Sequence, residues 1–443
     1  MEHRGSHDAP LPGLSTISPK SGYSRQHMKH LVVLASVVAL ASIAVAACSD
    51  DSGNANGTGS PDPSSDGGGA DSTTGPGPTT DAGNDGAGPS LPTYETWRLI
   101  KNPTATEDTA TSVAANAEQV FISGTEDGKG FVESRNVATG AVQWRVEIPK
   151  AATLAANGAY VATGADQALT LRSAADGTVV WTKSTDRPVG VLSINATHVF
   201  AGGTSFAPYP SKVSAWSAQS YDLANGNATW TSPVGAGSSY GDYLGGLAVT
   251  ADALYLSFTS GNGPYTRNWY AAKHPLVGGQ PESLGGWSVP LTGSSFNGAS
   301  GLVADAQRVY VTGIVSDVGQ VVALNASDGA ELWRKSPPST LPFTPGLLFG
   351  GIPFLDPNGV MIFGVQSYQQ KRSATYLLGA TDGAESRVVE HFAGATTAAA
   401  ANGHLFVAGT WSPNEAGTDT QWEVDNVKYS DGQFSATSHV ELK

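Results

Sequence analysis

The stretch DGAELW, residues 328–333, has close relatives at TGAVQW (139–144), DGTVVW (176–181) and NGNATW (225–230), and a degraded one at DGAESR (382–387). Each places a glycine four residues before a tryptophan, or before Arg387 in the degraded copy. With Trp287 counted as an approximate copy between Trp230 and Trp333, the copies recur at intervals of roughly 37 to 57 residues, the period of a repeat architecture. Gly140, Gly177, Gly226, Gly329 and Gly383 follow Thr, Asp or Asn, which is the turn chemistry that joins two antiparallel strands. A tryptophan on the next strand is then placed to cover neighbouring backbone. Trp144, Trp181, Trp230 and Trp333 therefore read as equivalent structural positions.

Seven short runs share a second pattern of alternating apolar and aromatic residues: QVFISG (119–124), AYVATG (159–164), HVFAGG (198–203), ALYLSF (253–258), RVYVTG (308–313), VMIFG (360–364) and HLFVAG (404–409). Between consecutive runs lie the glycine-to-tryptophan phrases, with Trp287 of LGGWSVP as an approximate copy. Strands at this spacing, with no amphipathic helix between them, imply four-stranded antiparallel blades. The expected fold is all-β, a β-propeller over residues 93–443 with seven blades, or eight as the alternative. TYETWRLI (93–100) is expected to join the C-terminal strands in the last blade and so close the ring.

ALNASDGAELW (323–333) resembles the tryptophan-docking repeat of the PQQ-like, or quinoprotein-type, β-propeller superfamily: Ala first, Asp or Asn third, Gly seventh, Trp eleventh. Asn136, Gly140 and Trp144 repeat the pattern, as do Asp222, Gly226 and Trp230; the second copy has Ser173 in the polar place, and the sixth has Gly379 and Arg387. That sixth blade is expected to be loosely sealed. The propeller lipoproteins of the outer-membrane barrel-assembly machinery are a more distant resemblance.

The 17-residue apolar run Leu31–Ala47 follows Lys29 and His30 and ends at the only cysteine, Cys48. A basic start, a short apolar stretch and small residues before a cut describe a secretory signal. Val45-Ala46-Ala47-Cys48 resembles the bacterial lipobox, with Cys48 as lipid acceptor and residues 1–47 as leader; MKHLVVL makes Met28 the better start. Residues 49–92 hold seven Asp and no Lys or Arg, and only Leu91 is large and apolar, so the segment reads as a disordered tether. Ser49 is not the Asp that retains some lipoproteins at the inner membrane. The expected location is lipid-anchored at the outer membrane or cell surface.

The superfamily includes quinone-dependent dehydrogenases that hold calcium or a lanthanide and commonly carry a vicinal cysteine pair. No cysteine follows Cys48, and His198, His274, His391, His404 and His439 are scattered without metal-ligand spacing. No catalytic residues, no resident metal and no cofactor are expected, pyrroloquinoline quinone least of all; calcium stays open. The histidines that open strands, His198 and His404, read as solvated. A net charge of −14 argues against nucleic acid as a partner.

In an antiparallel four-stranded blade, the first-to-second and third-to-fourth turns share one face. Those turns are tight here, at Asn157-Gly158, Asn402-Gly403 and the glycine-to-tryptophan phrases. The long segments fall on the other face: 204–216, 231–246, 259–274 and 410–422. They carry Phe206, Tyr209, Tyr240, Tyr243, Tyr265, Trp269, Tyr270 and Trp411, the expected binding residues of a non-enzymatic, monomeric scaffold that engages a protein at the cell envelope. A carbohydrate-binding or glycan-processing propeller is the alternative, with Asp242, Asp317 and Glu415 as the loop acids such a reading would need, and a quinone-dependent dehydrogenase is the less favoured one.

Overall fold

The computed structural model describes residues 96–101, 108–206, 214–232, 242–263, 266–282, 286–291, 297–315, 318–336, 353–355, 360–367, 372–391, 394–411, 421–430, 433–434 and 439–442. Cys48, the leader and the tether lie outside them. The described residues form strands and turns and no helix, arranged in seven sheets.

Six sheets are built from strands consecutive in the chain. Blade 1 comprises Thr109–Ala115, Gln119–Glu126, Lys129–Asn136 and Val142–Ile148. Blade 2 comprises Thr153–Ala156, Tyr160–Ala165, Ala168–Ser173 and Val179–Ser184. Blade 3 comprises Val191–Ile194, His198–Phe206, Ser214–Asp222 and Ala228–Thr231. Blade 4 has Tyr243–Val249, Ala253–Gly263 and Thr266–Val277, and the last of these pairs with both Gln280–Pro281 and Ser288–Pro290. Blade 5 comprises Asn297–Ala304, Arg308–Val315, Val318–Asn325 and Glu331–Lys335. Blade 6 comprises Pro353–Leu355, Val360–Ser367, Arg372–Gly379 and Glu385–His391.

The remaining sheet is composite. Gly394–Ala401, His404–Trp411 and Gln421–Ser430 are followed outward by the N-terminal strand Thr96–Lys101 and then by His439–Leu442. The N-terminal strand thus lies beside C-terminal strands, antiparallel to one and parallel to the other. This use of the extra strand corrects the eight-bladed alternative, for which no further sheet exists among the described residues. The innermost strands neighbour one another in chain order, and that of the composite sheet returns to Thr109–Ala115 of blade 1. Burial falls outward along each blade: Thr153–Ala156 is buried throughout, whereas Val179–Ser184 buries only its tryptophan.

The repeated phrase does two jobs. Gly140, Gly177, Gly226, Gly329 and Gly383 all have φ between 64° and 75°, which glycine adopts without steric penalty. A glycine is needed for a second reason, the approach of an indole from the preceding blade. A Cβ on Gly177 would lie 2.8 Å from Trp144, one on Gly329 2.9 Å from Trp287, and one on Gly383 2.8 Å from Trp333. Each indole also donates its Nε1 proton to a backbone carbonyl beside that turn: Trp144 to Ala174 (2.7 Å), Trp181 to Leu223 (2.9 Å), Trp287 to Ala326 (3.2 Å) and Trp333 to Ala380 (3.1 Å). Trp287, only an approximate copy in sequence, docks like the others.

Trp230 departs from the expected equivalence. It is half-buried and faces His274, with ring centroids 5.7 Å apart. The physical reason lies in blade 4, whose third strand continues into a hairpin at Gly278-Gly279 where the other blades carry their docking turn. The Arg387 side chain is not among those described.

At the composite sheet an amide replaces the indole. Asn426 Nδ2 donates to Val137 O at 3.0 Å, and Val137 stands where Ala174, Leu223, Ala326 and Ala380 stand in their blades. Trp422, fully buried, donates Nε1 to Glu126 of blade 1 at 3.1 Å and lies against Phe131, centroids 5.3 Å apart. A further recurring seam joins the tight turns: Asn116 Nδ2 donates to Asn157 O (3.2 Å), Asn157 Nδ2 to Asn195 O (3.1 Å) and Asn402 Nδ2 to Ala117 O (2.6 Å).

Blades 1 and 2 share another device, but one lacks a part. Arg135 donates through Nη1 to Gly140 O, and Arg172 does the same to Gly177 O. Arg135 Nε also donates to buried Glu133, whereas Arg172 Nε is buried with no partner. Burial lowers the Arg172 pKa. The residue corresponding to Glu133 is Thr170, whose hydroxyl meets only that of Thr182, 3.0 Å away. Thr170→Glu is expected to raise stability by on the order of 1 kcal/mol, the range of a charge-assisted hydrogen bond. Urea denaturation checks it; an unchanged or lowered midpoint would show that the arginine does not want a counterion there.

Candidate functional face

The second-to-third strand connections share the face opposite the docking turns. In blades 1 and 2 they are tight, with Asp127 and Gly128 at φ 51° and 72° and Asp166 at φ 48°. In blade 3 the flanking strands run to Phe206 and from Ser214, and in blade 4 to Gly263 and from Thr266. The segment 259–274, read from sequence as a long loop, is therefore largely a paired hairpin, with Thr259 opposite Trp269 and Gly261 opposite Arg267. The pairing extends the blade and leaves only two residues at the tip undescribed.

That geometry separates Trp269 from Tyr270. Successive residues of a strand point to opposite faces. Trp269 turns inward, is fully buried, and donates Nε1 to Ser257 Oγ at 3.0 Å. It is a core residue, which corrects its assignment as a binding residue. Tyr270 takes the other face, half-buried, stacked on Phe258 with centroids 5.4 Å apart and planes 13° apart. Phe258 in turn meets Trp216 of blade 3 at 4.9 Å. Trp216–Phe258–Tyr270 is thus an aromatic ladder across the seam of blades 3 and 4; Trp216, 6% exposed, anchors it in the core the two blades share, and Tyr270 is its half-buried end. Trp216 and Phe258 were not singled out in sequence, although each lies in a quoted run.

Tyr243 is also committed to packing: a Cβ on Gly298 would come within 2.2 Å of its hydroxyl, and it packs against the core of blades 4 and 5. Tyr209, Tyr240, Tyr265, Asp317 and Glu415 lie outside the described residues. Phe206 and Trp411 end their blades' second strands, and their side chains are not among those described.

Asp242 is 1% exposed, and its Oδ1 accepts the Gly261 N–H at 2.9 Å, fastening the blade 4 hairpin. Buried Asp108 does the same in blade 1, accepting from Asp127 N at 3.2 Å. A carboxylate used in this way holds backbone and is withdrawn from the surface, which removes Asp242 from the acids a glycan reading needs. Among the described residues no group of three or more His, Cys, Asp or Glu is placed to hold a metal ion.

Of the strand-opening histidines, His198 is buried, contrary to the sequence reading, and His404 is half-buried. His198 is 5% exposed, with Nδ1 2.9 Å from Thr197 Oγ1 and Gly279 of the blade 4 hairpin against its ring. Burial lowers its pKa, opposed by the nearby Asp222 charge. His404 Nδ1 is 2.8 Å from Asn426 Oδ1, so the closing asparagine is held from both ends. The blade 4 hairpin covers His198, and spacing along one strand does not reveal that. Tyr221, Tyr255 and Tyr310 have pKa values pushed up to about 12, chiefly by burial. They serve as packing groups, Tyr310 donating to Ala380 O at 3.2 Å beside the Trp333 bond.

The family profile described as outer membrane protein assembly factor BamB matches residues 94–264 and 284–361, more than half of the chain. Among solved structures, the β-propeller domain of Cps50 (Swd1) from Myceliophteria thermophila is similar at 12% identity and TM-score 0.50, over 74% of this chain and 99% of that one. BamB from Moraxella catarrhalis is similar at 17% identity and TM-score 0.44, over 72% and 85% of the two chains. Quinohemoprotein alcohol dehydrogenase from Comamonas testosteroni is similar at 10% identity and TM-score 0.39, over 75% and 76%. At such identities the likeness speaks to fold alone. No curated protein matches.

Proposed function

Because the chain belongs to the family described as outer membrane protein assembly factor BamB, we propose that it is a non-enzymatic, protein-binding scaffold of the cell envelope. Its working surface is the hairpin face of blades 3 and 4. The observation that carries this reading is half-buried Tyr270, stacked on Phe258 over the buried Trp216, on a blade 4 hairpin whose strands are longer than those of blades 1 and 2. Tyr and Trp offer large contact area with few rotatable bonds, and they recur at binding hot spots. Repeat spacing expands in these two blades, and lengthening a connection adds only about 0.6 kcal/mol of closure entropy per doubling. Export and lipidation at Cys48 deliver the propeller to the membrane, with residues 49–92 as tether; the outer membrane is the destination that fits the family description.

The test is capture from solubilised envelopes of the native host, using wild-type protein and a Tyr209→Ala, Tyr270→Ala variant. Loss of a specific captured protein in the variant, with an unchanged thermal midpoint, is the expected result. Glu331→Ala, whose partner is Arg334 on the outer strand of blade 5 at 2.6 Å, should capture normally. Normal capture by the aromatic variant together with loss in Glu331→Ala would place the surface elsewhere. Mass spectrometry of the mature N-terminus tests the anchor, and an unmodified peptide spanning 45–51 would end that part of the reading.

A further inference from the structure

Both ends of the described chain meet in one sheet, and their order there is unusual. The N-terminal strand Thr96–Lys101 takes the fourth place of the composite blade, antiparallel to Gln421–Ser430. In the other blades the fourth place is the outer edge or is shared by short strands. Here the chain continues past Ser430, turns at Gln433–Phe434, and lays His439–Leu442 on the far side of Thr96–Lys101. Gln421–Ser430 and His439–Leu442 therefore run antiparallel to each other with the N-terminal strand between them. They are the two arms of a C-terminal hairpin opened by one inserted strand.

We propose that the C-terminal strand His439–Leu442 is a latch that locks the N-terminal strand into the ring. Three observations support it. First, the strand is paired on both edges, unlike the outer strand of blade 1 or 2: Arg98–Lys101 with the inner neighbour and Thr96–Leu99 with His439–Leu442, the two ladders overlapping at Arg98 and Leu99. Second, the register sets unlike charges opposite one another: Arg98 stands across from Asp425 on one side and Glu441 on the other. Directly opposed residues of a sheet are neighbours on one face, so unlike charges favour this register, and a slip of one residue would break it. Third, the strand is worth locking. Leu99 is fully buried in the cluster that holds Trp422, Val424, Phe406 and Val113, which joins the closing blade to blade 1. A strand paired on both sides leaves the sheet only if two ladders break together.

Hydrogen exchange on the full chain tests the latch. Removing residues 431–443 is expected to speed amide exchange in a peptide covering 96–101 by tenfold or more, while peptides covering Val161–Ala165 in blade 2 change by less than twofold. Exchange at 96–101 within twofold of wild type would overturn the proposal. Should the truncation unfold the ring altogether, a charge exchange keeps the question answerable. Arg98→Glu is expected to speed exchange at 96–101, and adding Glu441→Arg to restore part of the protection. No restoration would mean that the C-terminal strand does not hold its neighbour through this register, and the latch would be rejected.

Discussion

Replacing Trp333 by alanine is expected to destabilise the propeller by about 3–5 kcal/mol, the range for truncating a buried tryptophan. Trp333 is 8% exposed, lies on Gly383 of the next blade and donates to Ala380 O at 3.1 Å. Its ring also meets Tyr310, with centroids 5.9 Å apart. Alanine removes the apolar cover of a turn and one of the two donors to Ala380 O; Tyr310 Oη remains. Trp230→Ala is the internal control. That ring is half-buried and meets His274 in place of a docking glycine, so its truncation should cost clearly less. Trp333→Phe separates the two contributions, keeping a ring over Gly383 while losing the N–H. Urea denaturation of the three variants decides the matter: equal losses for Trp333→Ala and Trp230→Ala would mean that docking on the glycine turn contributes nothing of its own.

A comparable loss, about 3–5 kcal/mol, is expected for Glu133→Ala, because it leaves the buried Arg135 cation without its counter-charge. Glu133 has 3% side-chain exposure and Arg135 6%, and the two are in direct contact. Glu133 also reaches Arg145 at 2.8 Å, and Arg145 bonds Glu126 and lies 4.2 Å over the Phe131 ring. Burial works to lower the Arg145 pKa, yet its hydrogen bonds to Glu126 and Glu133 outweigh that and leave it raised. Glu126 then accepts from Trp422 of the closing sheet, so the network ends on the seam where the ring is joined. The loss should therefore exceed what a surface ion pair gives, about 0–1 kcal/mol, and should persist in high salt, which screens exposed pairs far more than buried ones. Deleting the exposed pair Lys150–Asp166, with side chains 66% and 68% exposed, is the reference. If Glu133→Ala and Asp166→Ala cost the same, the blade 1 network is only decoration on a seam held by packing.

The repeat was readable because its two demands are local. A left-handed turn asks for glycine wherever it occurs, and Gly140, Gly177, Gly226, Gly329 and Gly383 stand at a constant distance from the residue that follows on the outer strand. Strand alternation likewise marked all seven second strands, from Gln119–Glu126 to His404–Trp411. The asparagines of the tight turns were equally local, since Ala-Ala-Asn recurs at 114–116, 155–157 and 400–402, and that recurrence is the signal that would have found their seam.

The candidate face was less legible. The aromatic richness of 204–216 and 259–274 is visible in the chain, but which ring points outward depends on the register of a hairpin. Trp269 and Tyr270 are adjacent in sequence, and only pairing decided that one is core and the other surface. Burial of His198 by Gly279, of Asp242 beneath Gly261, and of Asn426 against Val137 each brings together residues from separate blades or separate strands. No periodicity along the chain encodes such meetings.

The sequence by itself determined the repeated element: its strands, its turns and the indole that faces most of those turns, because these follow from φ preferences, alternation and residue size within about fifty residues. Only the tertiary structure decided how the ring is joined. Where the indole is absent, an asparagine, a buried tryptophan on a glutamate and an inserted N-terminal strand take its place, and these contacts span almost the whole chain, as in Val113 N to Thr397 Oγ1 at 3.4 Å. Closure brings distant segments together, and local propensity carries no information about which of them will meet.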